Sequence, residues 1–232
     1  MEASSIEPFT IIIPVYNEEE LIVANIERLI ELLNTLNTKY EIIIASNGST
    51  DSTLYLGQML EEKYFNVKFF HLNKKEVGTA FKRAVWMASY DNIISLDLDL
   101  SINLNFIKEA NRLLKRYDIV VGSKKNGTQK RPLMRKIGSS IYIFLSKISL
   151  KLDYNDYSMA AKGYRKVCIE RFLDEIDKAT SYVIDIIYKA SKNRLKIIEI
   201  PVECEDTRKS KFNLIYEGYS RFKGLFKLWL FK

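Results

Sequence analysis

The strongest constraint on the fold is a repeated alternation between apolar, β-branched runs and segments with helical spacing. The apolar runs occupy residues 9–16, 40–47, 66–73, 92–99 and 117–123. Between the first two, apolar side chains recur at helical intervals at Ile22, Ile26, Leu29 and Leu33. Continuous apolar strands joined by crossover helices form a parallel sheet that helices cover on both faces. The chain is therefore predicted to be an α/β protein with a mostly parallel, Rossmann-like central sheet.

Short polar clusters follow four of these apolar runs. They read NEEE after the first run, SNGSTD after the second, DLDLS at the end of the fourth and GSKKNG after the fifth. In open α/β sheets, ligands bind at the carboxyl ends of the strands. The alternation therefore predicts that one edge of the sheet carries the functional site.

The fourth run ends in two aspartates, Asp97 and Asp99, separated by one leucine. On a strand, residues two apart share one face, so the two carboxylates would lie close together and repel each other. Such a pair is tolerated if a cation lies between the carboxylates, if one is protonated, or if both are in water. The strand pattern alone leaves these three arrangements open.

The length and the cysteine content limit the class of protein. A chain of 232 residues, of which 47% are hydrophobic, can form one sizeable α/β domain. Cys168 and Cys204 lack metal-binding spacing, and the acidic N-terminus does not resemble a secretory signal, so we expect a reducing, intracellular compartment. No apolar run approaches the roughly 18 to 20 residues that cross a bilayer.

The net charge of +7 comes from two segments. Residues 119–152 hold eight basic and no acidic side chains, and residues 207–232 hold seven basic and one acidic. A positive field confined to two places indicates a localised anionic partner, such as phosphate groups, nucleic acid or an anionic membrane surface. A solvated basic face is the alternative.

Past residue 124 the alternation stops. A basic loop at 124–136 precedes an apolar helical stripe, and a further helix at about 180–192 leads to a strand at 195–205. The stripe comprises Ile137, Ile141, Leu145, Ile148 and Leu152.

The last segment, 212–232, has an aromatic face and a largely basic opposite face. The aromatic and apolar side of this segment comprises Ile215, Tyr219, Phe222, Phe226 and Trp229. This pattern predicts an amphipathic helix that lies in a membrane interface. Packing of the same stripe on the domain core is the alternative. Trp86 is expected to be a core residue, and His71 a packed or surface residue rather than a ligand.

Several segments resemble the signatures of family 2 glycosyltransferases with the GT-A fold. In order and spacing these are TIIIPVYNEEELI, SNGSTDST, EVGTAFKRA and ISLDLDLS. Later segments, among them GSKK, RKIGSS and DYSMAAKGYRK, are similar to the polyprenyl-phosphate branch, which includes dolichyl-phosphate mannose and glucose synthases. The resemblance covers most of residues 9–213. It implies a GT-A domain at 1–211, with a donor half at about 9–123 and an acceptor half at about 124–211.

The resemblance implies a metal-dependent, inverting transferase. Such an enzyme moves a monosaccharide from a nucleotide diphosphate sugar, of the GDP-mannose or UDP-glucose type, to polyprenyl or dolichyl phosphate. Mg²⁺ or Mn²⁺ would neutralise the departing diphosphate. Asp97 and Asp99 are the implied catalytic metal ligands, and Ser101 stands where relatives often carry a glutamine ligand.

The resemblance also implies the residues that bind the donor. They are Pro14, Tyr16, Glu18, Asn47, Ser49, Asp51, Gly78, Arg208 and Lys211. Asn47 is neutral where the family usually has an acid, and Asp51 is equally a candidate helix cap. Arg208, Ser210 and Lys211 resemble a loop that closes over the donor phosphates.

For the acceptor phosphate, the resemblance implies four residues: Lys124, Arg131, Arg135 and Ser139. Arg135 is also an implied catalytic residue, and it shares a helix face with Ser139 four positions later. A phosphate oxygen is already ionised and attacks without a general base. Asp156 lies at the depth where relatives that glycosylate hydroxyl groups carry a base, and here it is expected to contact the sugar instead.

Three other functions remain compatible with the sequence. The chain could extend a glycan with Asp156 as base, or be a non-catalytic partner with a nucleotide-sugar fold. A nucleic-acid-binding protein would explain the basic segments but not DLDLS, so nucleic acid is not an expected partner. The preferred prediction places the protein on the cytoplasmic face of a membrane, peripherally attached to an anionic surface.

Overall fold

The computed structural model describes residues 6–124, 129–130, 133–157, 159–205 and 214–230, with backbone only at 129–130, 133–136, 205 and 214–221. The strands are β1 Phe9–Val15, β2 Tyr40–Asn47, β3 Val67–Leu72, β4 Asn92–Ser95, β5 Ile119–Ser123, β6 Gln129–Lys130, β7 Lys162–Arg165, β8 Ile197–Pro201 and β9 Cys204–Glu205. The α-helices are α1 Ile22–Asn34, α2 Thr53–Lys63, α3 Val77–Met87, α4 Asn105–Leu113, α5 Leu133–Leu150, α6 Lys166–Ile169, α7 Tyr182–Lys192 and α8 Leu214–Leu230. A 3-10 helix occupies Glu170–Glu175.

The main sheet has seven strands in the order β3-β2-β1-β4-β7-β5-β8. The one antiparallel member is β7, which pairs in this sense with both β4 and β5. Since β4 and β5 both run opposite to β7, they are parallel to each other, and β1 and β2 are parallel to β4. The carboxyl ends of β1, β2, β4 and β5 therefore meet at one edge, and the predicted α/β fold is confirmed.

Two hydrophobic cores cover the two faces of the sheet. Alternate residues of β1 divide between them, with Ile11 and Ile13 in one core and Ile12 in the other. Helices α1, α2 and α4 contribute to the first core, and α3, α5, α7 and α8 contribute to the second. Coverage of both faces explains why the central strands are apolar along their whole length.

Two strand predictions need correction, and one strand of the main sheet was not predicted. The fourth strand ends at Ser95, so the two aspartates lie beyond it in a turn. The predicted strand at 195–205 is two strands, β8 and β9, interrupted at residues 202–203. Strand β7 was not predicted, because two of its four residues are basic and its pairing partners lie far away in the chain.

Helices α5 and α8 pack against each other on one side of the domain. The rings of Tyr142 and Phe222 meet edge to face with centroids 5.7 Å apart. Around this contact, one apolar stripe of each helix stays exposed to solvent, including most of the stripe predicted for α5. The exposed residues are Ile137, Ile141, Phe144, Leu145 and Ile148 on α5, and Phe222, Phe226, Trp229 and Leu230 on α8.

None of the helices in the described ranges combines the length and apolarity needed to cross a membrane.

The burial of two further residues, Leu152 and Trp86, bears on the sequence predictions. Leu152, at the end of the α5 stripe, is buried as part of the second core. Trp86 is 55% exposed, so its assignment to the core was wrong. Its helix α3 faces the core through other positions, among them Phe81, Ala84 and Val85, so the core does not take up the indole.

Gly78 at the start of α3 allows a close approach of another loop. A Cβ atom at this position would lie 2.0 Å from the carbonyl oxygen of Asp177. The Gly78 N–H donates to the Lys178 carbonyl at 2.8 Å, and the Thr79 N–H donates to the same oxygen at 3.3 Å. Gly78 therefore has a packing role, because any side chain would collide with the Asp177 carbonyl. Its N–H group is already bonded within the protein. Donor binding by Gly78 stays a prediction.

We expect Gly78→Ala to lower the free energy of unfolding by about 3 kcal/mol, because the added methyl group meets a backbone carbonyl that cannot rotate away. Urea denaturation followed by circular dichroism measures this change. Gly138→Ala in α5 is the matched control, since its Cβ would meet nothing within 4 Å and alanine favours the helix. Equal unfolding midpoints for the two variants would contradict this packing role.

Candidate active site

Asp97 and Asp99 lie in a tight turn directly after β4. Leu98 and Leu100 are buried in the first core, and the two aspartates alternate with them. The Leu100 N–H donates to the Asp97 carbonyl at 3.2 Å, and the Ser101 N–H donates to Asp99 Oδ1 at 3.1 Å. Leu100 adopts φ +48°, an unusual left-handed conformation for a leucine. Buried leucines and accessible aspartates thus alternate as in a strand, although these residues form a turn.

The carboxylate of Asp97 lies between acidic and basic neighbours. Its Oδ2 accepts a hydrogen bond from the Ala160 N–H at 3.3 Å. The protein packed around it and the charge of Asp99 raise the pKa of Asp97, although part of the side chain reaches solvent. Lys124, the Ala160 N–H and Lys162 oppose this rise. The sequence left three arrangements open for the aspartate pair, namely a bound cation, protonation or exposure to water. Compensation by nearby lysines is a fourth arrangement.

The two carboxylates suit a cation that also binds phosphate. Within the described part of the chain, no group of three or more His, Cys, Asp or Glu side chains surrounds a possible ion position. Mg²⁺ and similar ions often take one or two protein carboxylates and complete their shell with phosphate oxygens and water. Asp97 and Asp99 therefore fit a metal that is shared with a diphosphate, and they do not form a closed cage.

The loops after β1 and β2 are joined by hydrogen bonds at the same sheet edge. The Asn17 N–H donates to Ser49 Oγ at 3.1 Å, and the Thr50 N–H donates to Asn17 Oδ1 at 2.8 Å. The Glu18 N–H donates to Thr53 Oγ1 at 2.8 Å. These bonds bring the predicted donor residues of the first loop next to those of the second loop. The first set is Pro14, Tyr16 and Glu18, and the second is Asn47, Ser49 and Asp51.

Asn47 and Asp51 also have partners within the protein. The buried Asn47 amide donates to the Val15 carbonyl at 2.8 Å. Asp51 accepts backbone N–H groups from Thr53 at 3.0 Å and Glu19 at 3.3 Å. Partial burial by itself would raise the pKa of Asp51. The hydrogen bonds from Thr53 and Glu19 outweigh this effect, so the pKa lies below its usual value. The N-cap residue of α2 is Ser52, so the prediction that Asp51 caps the helix was wrong by one position, although Asp51 accepts the N–H of Thr53, the first helical residue. The contact of Asp51 with base or ribose stays a prediction.

The third loop, after β3, completes this side of the site. Lys75 Nζ lies 3.6 Å from the centroid of the Tyr16 ring, a cation–π contact that sequence reasoning missed because Lys75 stands in an ordinary charged run. Gly48, at φ +77°, allows the Lys75 backbone to approach, since a Cβ there would lie 2.7 Å from the Lys75 nitrogen. His71 Nδ1 and Ser46 Oγ are 3.0 Å apart. His71 is therefore a packed, hydrogen-bonded residue, which is one of the two positions that the sequence predicted.

Part of the predicted acceptor site can be placed. Lys124 directly follows β5 at the same sheet edge and acts electrostatically on Asp97. Ser139 lies half-buried on α5, and the backbone of Arg135 lies one turn earlier on that helix. The predicted acceptor residue Arg131 lies outside the described residues, and so does the predicted donor loop with Arg208, Ser210 and Lys211. Their assignments stay predictions.

Lys162 in β7 is a site residue that sequence reasoning missed. Its side chain is completely buried, and its Nζ donates to the Met159 carbonyl at 2.9 Å. Burial, together with the charge of Lys124, lowers the pKa of Lys162, and the charges of Asp156, Asp97 and Glu199 offset only part of this shift. The available signal was a lysine inside the apolar run MAAKGY, which would have been noticed had 162–165 been recognised as a buried strand.

Asp156 lies deep behind this site. Its side chain is only 3% exposed, and Oδ1 accepts the Met159 N–H at 3.0 Å. The preceding Asn155 is tied to Glu199, which accepts its backbone N–H at 2.6 Å and its side-chain amide at 2.7 Å. The segment around Asp156 is therefore firmly held against β8.

Comparison with known families identifies this constellation. The family model described as glycosyl transferase family 2 matches residues 10–173, which include the three donor loops, the acidic turn and β7. The chain belongs to glycosyltransferase family 2. Curated relatives extend the match to nearly the whole chain. A transferase of Photorhabdus laumondii is 30% identical over 226 residues, covering 93% of this chain and 67% of the relative. A Serratia proteamaculans protein is 28% identical, covering 91% and 66%.

Both relatives are named undecaprenyl-phosphate 4-deoxy-4-formamido-L-arabinose transferase. These names fall in the polyprenyl-phosphate branch that the motifs predicted. This family 2 chain spans about two thirds of the length of these relatives.

Solved structures confirm the GT-A fold. Glucosyl-3-phosphoglycerate synthase of Mycobacterium tuberculosis, solved with Mn²⁺, UDP and glucosyl-3-phosphoglycerate, superposes with a TM-score of 0.70 at 14% identity, over 95% of this chain and 79% of its own. Mannosyl-3-phosphoglycerate synthase of Rubrobacter xylanophilus gives 0.69 at 11% identity, over 95% and 73%. At these identities the likeness establishes the fold of the family 2 domain.

Proposed function

We propose that this family 2 chain transfers one sugar from a UDP- or GDP-linked donor to a polyprenyl phosphate, with inversion at the anomeric carbon. The observation that carries the proposal is the 30% identity to an undecaprenyl-phosphate sugar transferase across 93% of the chain. This match continues past residue 173, where the general family model ends, into the acceptor half.

The site geometry supports this chemistry. A divalent cation, Mg²⁺ or Mn²⁺, held by Asp97 and Asp99 would neutralise the departing nucleoside diphosphate. The turn at 97–101 holds both carboxylates before the donor arrives, because Asp99 and Asp97 each accept a backbone N–H. Ser101 contributes its backbone to this turn, and a ligand role for its hydroxyl group is part of the proposal. Lys124 lies beside Asp97, where it can attract the acceptor phosphate.

The acceptor chemistry requires no general base. A phosphate oxygen is ionised at neutral pH and attacks the anomeric carbon directly, so the protein needs only to align the reactants and stabilise charge. The burial of Asp156 supports this proposal, since a base for a sugar hydroxyl must reach the acceptor. The same burial disfavours a glycan-extending enzyme with Asp156 as base, and it equally disfavours the expected contact of Asp156 with the sugar.

A lipid acceptor requires contact with a bilayer, and we propose that the α5/α8 surface makes it. This surface is defined by the exposed apolar stripes of the two helices, such as Phe144 at 62% and Phe226 at 58% exposure. Its helices lie in the two segments that carry the excess positive charge, 119–152 and 207–232. Lys151, Lys223 and Lys227 are exposed there. Apolar side chains flanked by lysines match an anionic membrane surface, and the proposed location is its cytoplasmic face.

The activity is tested with purified protein, Mn²⁺ or Mg²⁺, a panel of UDP- and GDP-sugars and a short polyprenyl phosphate. We expect a lipid-linked sugar with one nucleotide class, detected by thin-layer chromatography and mass spectrometry. The matched acceptor control is the same polyprenol without phosphate, which should give no product because its hydroxyl group needs a base. Transfer to the polyprenol or to an oligosaccharide, but not to the phosphate, would contradict the proposal.

A further inference from the structure

The buried amino group of Lys162 faces three backbone carbonyl acceptors. Its Nζ lies 2.9 Å from the Met159 carbonyl oxygen and 3.5 Å from those of Gly122 and Ala161. An ammonium group has three N–H donors and no acceptor, so three carbonyl oxygens match the charged form. Placing a charge in the interior is costly unless opposite charges and hydrogen-bond acceptors compensate it. Among the acidic side chains, Asp156, itself only 3% exposed, acts most strongly on Lys162, and Asp97 follows, so Lys162 links this buried acid to the acidic turn.

The ammonium group holds the peptide segment that orients Asp97. It bonds to the carbonyls of Met159 and Ala161, which flank Ala160 on both sides. The Ala160 N–H donates to Asp97 Oδ2, and the Ala160 carbonyl accepts a hydrogen bond from Ser95 Oγ. Lys162 is thereby connected to the metal-binding turn through one peptide unit.

The charge of Lys162 also acts directly on the site. Lys162 and Lys124 both attract the Asp97 carboxylate electrostatically, and both therefore repel an incoming cation. Two carboxylates close to two lysines form a weak site for a divalent ion that arrives alone. A metal that arrives with a diphosphate brings negative charge, so the same lysines favour the complex.

We infer that Lys162 is a positioning residue whose fixed charge suppresses binding of free divalent cations and makes the metal and the nucleotide diphosphate bind together. The inference rests on the metal use in the proposed function. Lys162 acts through Ala160 and through its field.

The test measures the concentration of free Mn²⁺ by electron paramagnetic resonance, without nucleotide, with UDP and with GDP. For the natural protein we expect strong Mn²⁺ binding only when UDP or GDP is present. Lys162→Met should tighten binding of Mn²⁺ alone by about tenfold or more, since a nearby repelling charge is removed. The gain with UDP present should be smaller, because the lysine then also loses its attraction to the diphosphate. Lys196→Met, at an exposed position on the β8 side, changes the net charge equally and should leave both affinities unchanged.

Thermal unfolding separates this role from a structural one. We expect Lys162→Met to lower the melting temperature, because three carbonyl oxygens lose this donor and the buried Asp156 loses a compensating charge, so Mn²⁺ binding is compared at a temperature where the variant is folded. If that variant does not fold, Lys162→Gln replaces it, since glutamine can still donate to a carbonyl without carrying charge.

Each result has a distinct meaning. No Mn²⁺ binding to the natural protein with either UDP or GDP would overturn the metal use in the proposed function. Strong binding of Mn²⁺ alone to the natural protein, or unchanged affinity in the folded variants, would overturn the inference about Lys162 and leave the proposed function standing.

Discussion

Asp99→Ala should reduce sugar transfer by about a thousandfold or more, because it removes the carboxylate proposed to hold the cation at the departing diphosphate. The substitution also removes the acceptor of the Ser101 N–H, which lies 3.1 Å from Asp99 Oδ1 in the turn. Asp99→Asn separates the two effects. Its amide oxygen still accepts that N–H, so the turn keeps its bond while the negative charge is lost.

We expect Asp99→Asn to lose at least about a hundredfold in kcat at saturating donor and metal while it unfolds at the same temperature as the natural protein. Initial rates with the donor identified in the acceptor panel measure this loss. The control is Asp174→Asn, an exposed carboxylate that is ion-paired with Lys82 at 3.2 Å, and it should leave the rate unchanged. Full activity of Asp99→Asn would remove the basis for a metal at this turn.

The second large effect concerns the α5/α8 surface. Combining Phe144→Asp with Phe226→Asp should lower partitioning to anionic vesicles by about a hundredfold or more, since each buried phenylalanine contributes roughly 1.5–3 kcal/mol. Each new carboxylate also repels the anionic lipid. Sedimentation with vesicles of phosphatidylglycerol and phosphatidylcholine measures this loss.

The matched control for this experiment is Phe65→Asp. Phe65 is fully exposed in the turn between α2 and β3, outside the α5/α8 surface. It changes the same side chain to the same charge and should not alter vesicle binding. Equal sedimentation of the double variant and the natural protein would exclude this surface as the membrane contact. Transfer to a short, water-soluble polyprenyl phosphate should persist in the double variant, because its site at the sheet edge is unchanged.

The sequence by itself determined the elements whose signal is local. The apolar stripe of α1 is buried as its spacing predicted, with Ile22, Ile26 and Leu29 in the first core. The polar residues that follow β1, β2 and β4, and Lys124 after β5, lie at one sheet edge, because parallel strands place their carboxyl ends together. The motifs around Asp97 and Asp99 indicated the family, since they depend on order and spacing along the chain.

Only the tertiary structure decided which side chains meet across distant segments. Lys162 reads as a surface lysine until β7 is inserted between β4 and β5, which buries it behind Asp97. The α5 stripe has the spacing of a core helix, yet most of it is exposed, because a periodic pattern identifies an apolar face and not what covers it. Burial and electrostatic neighbourhood are properties of packed, non-adjacent segments, and local periodicity carries no information about them.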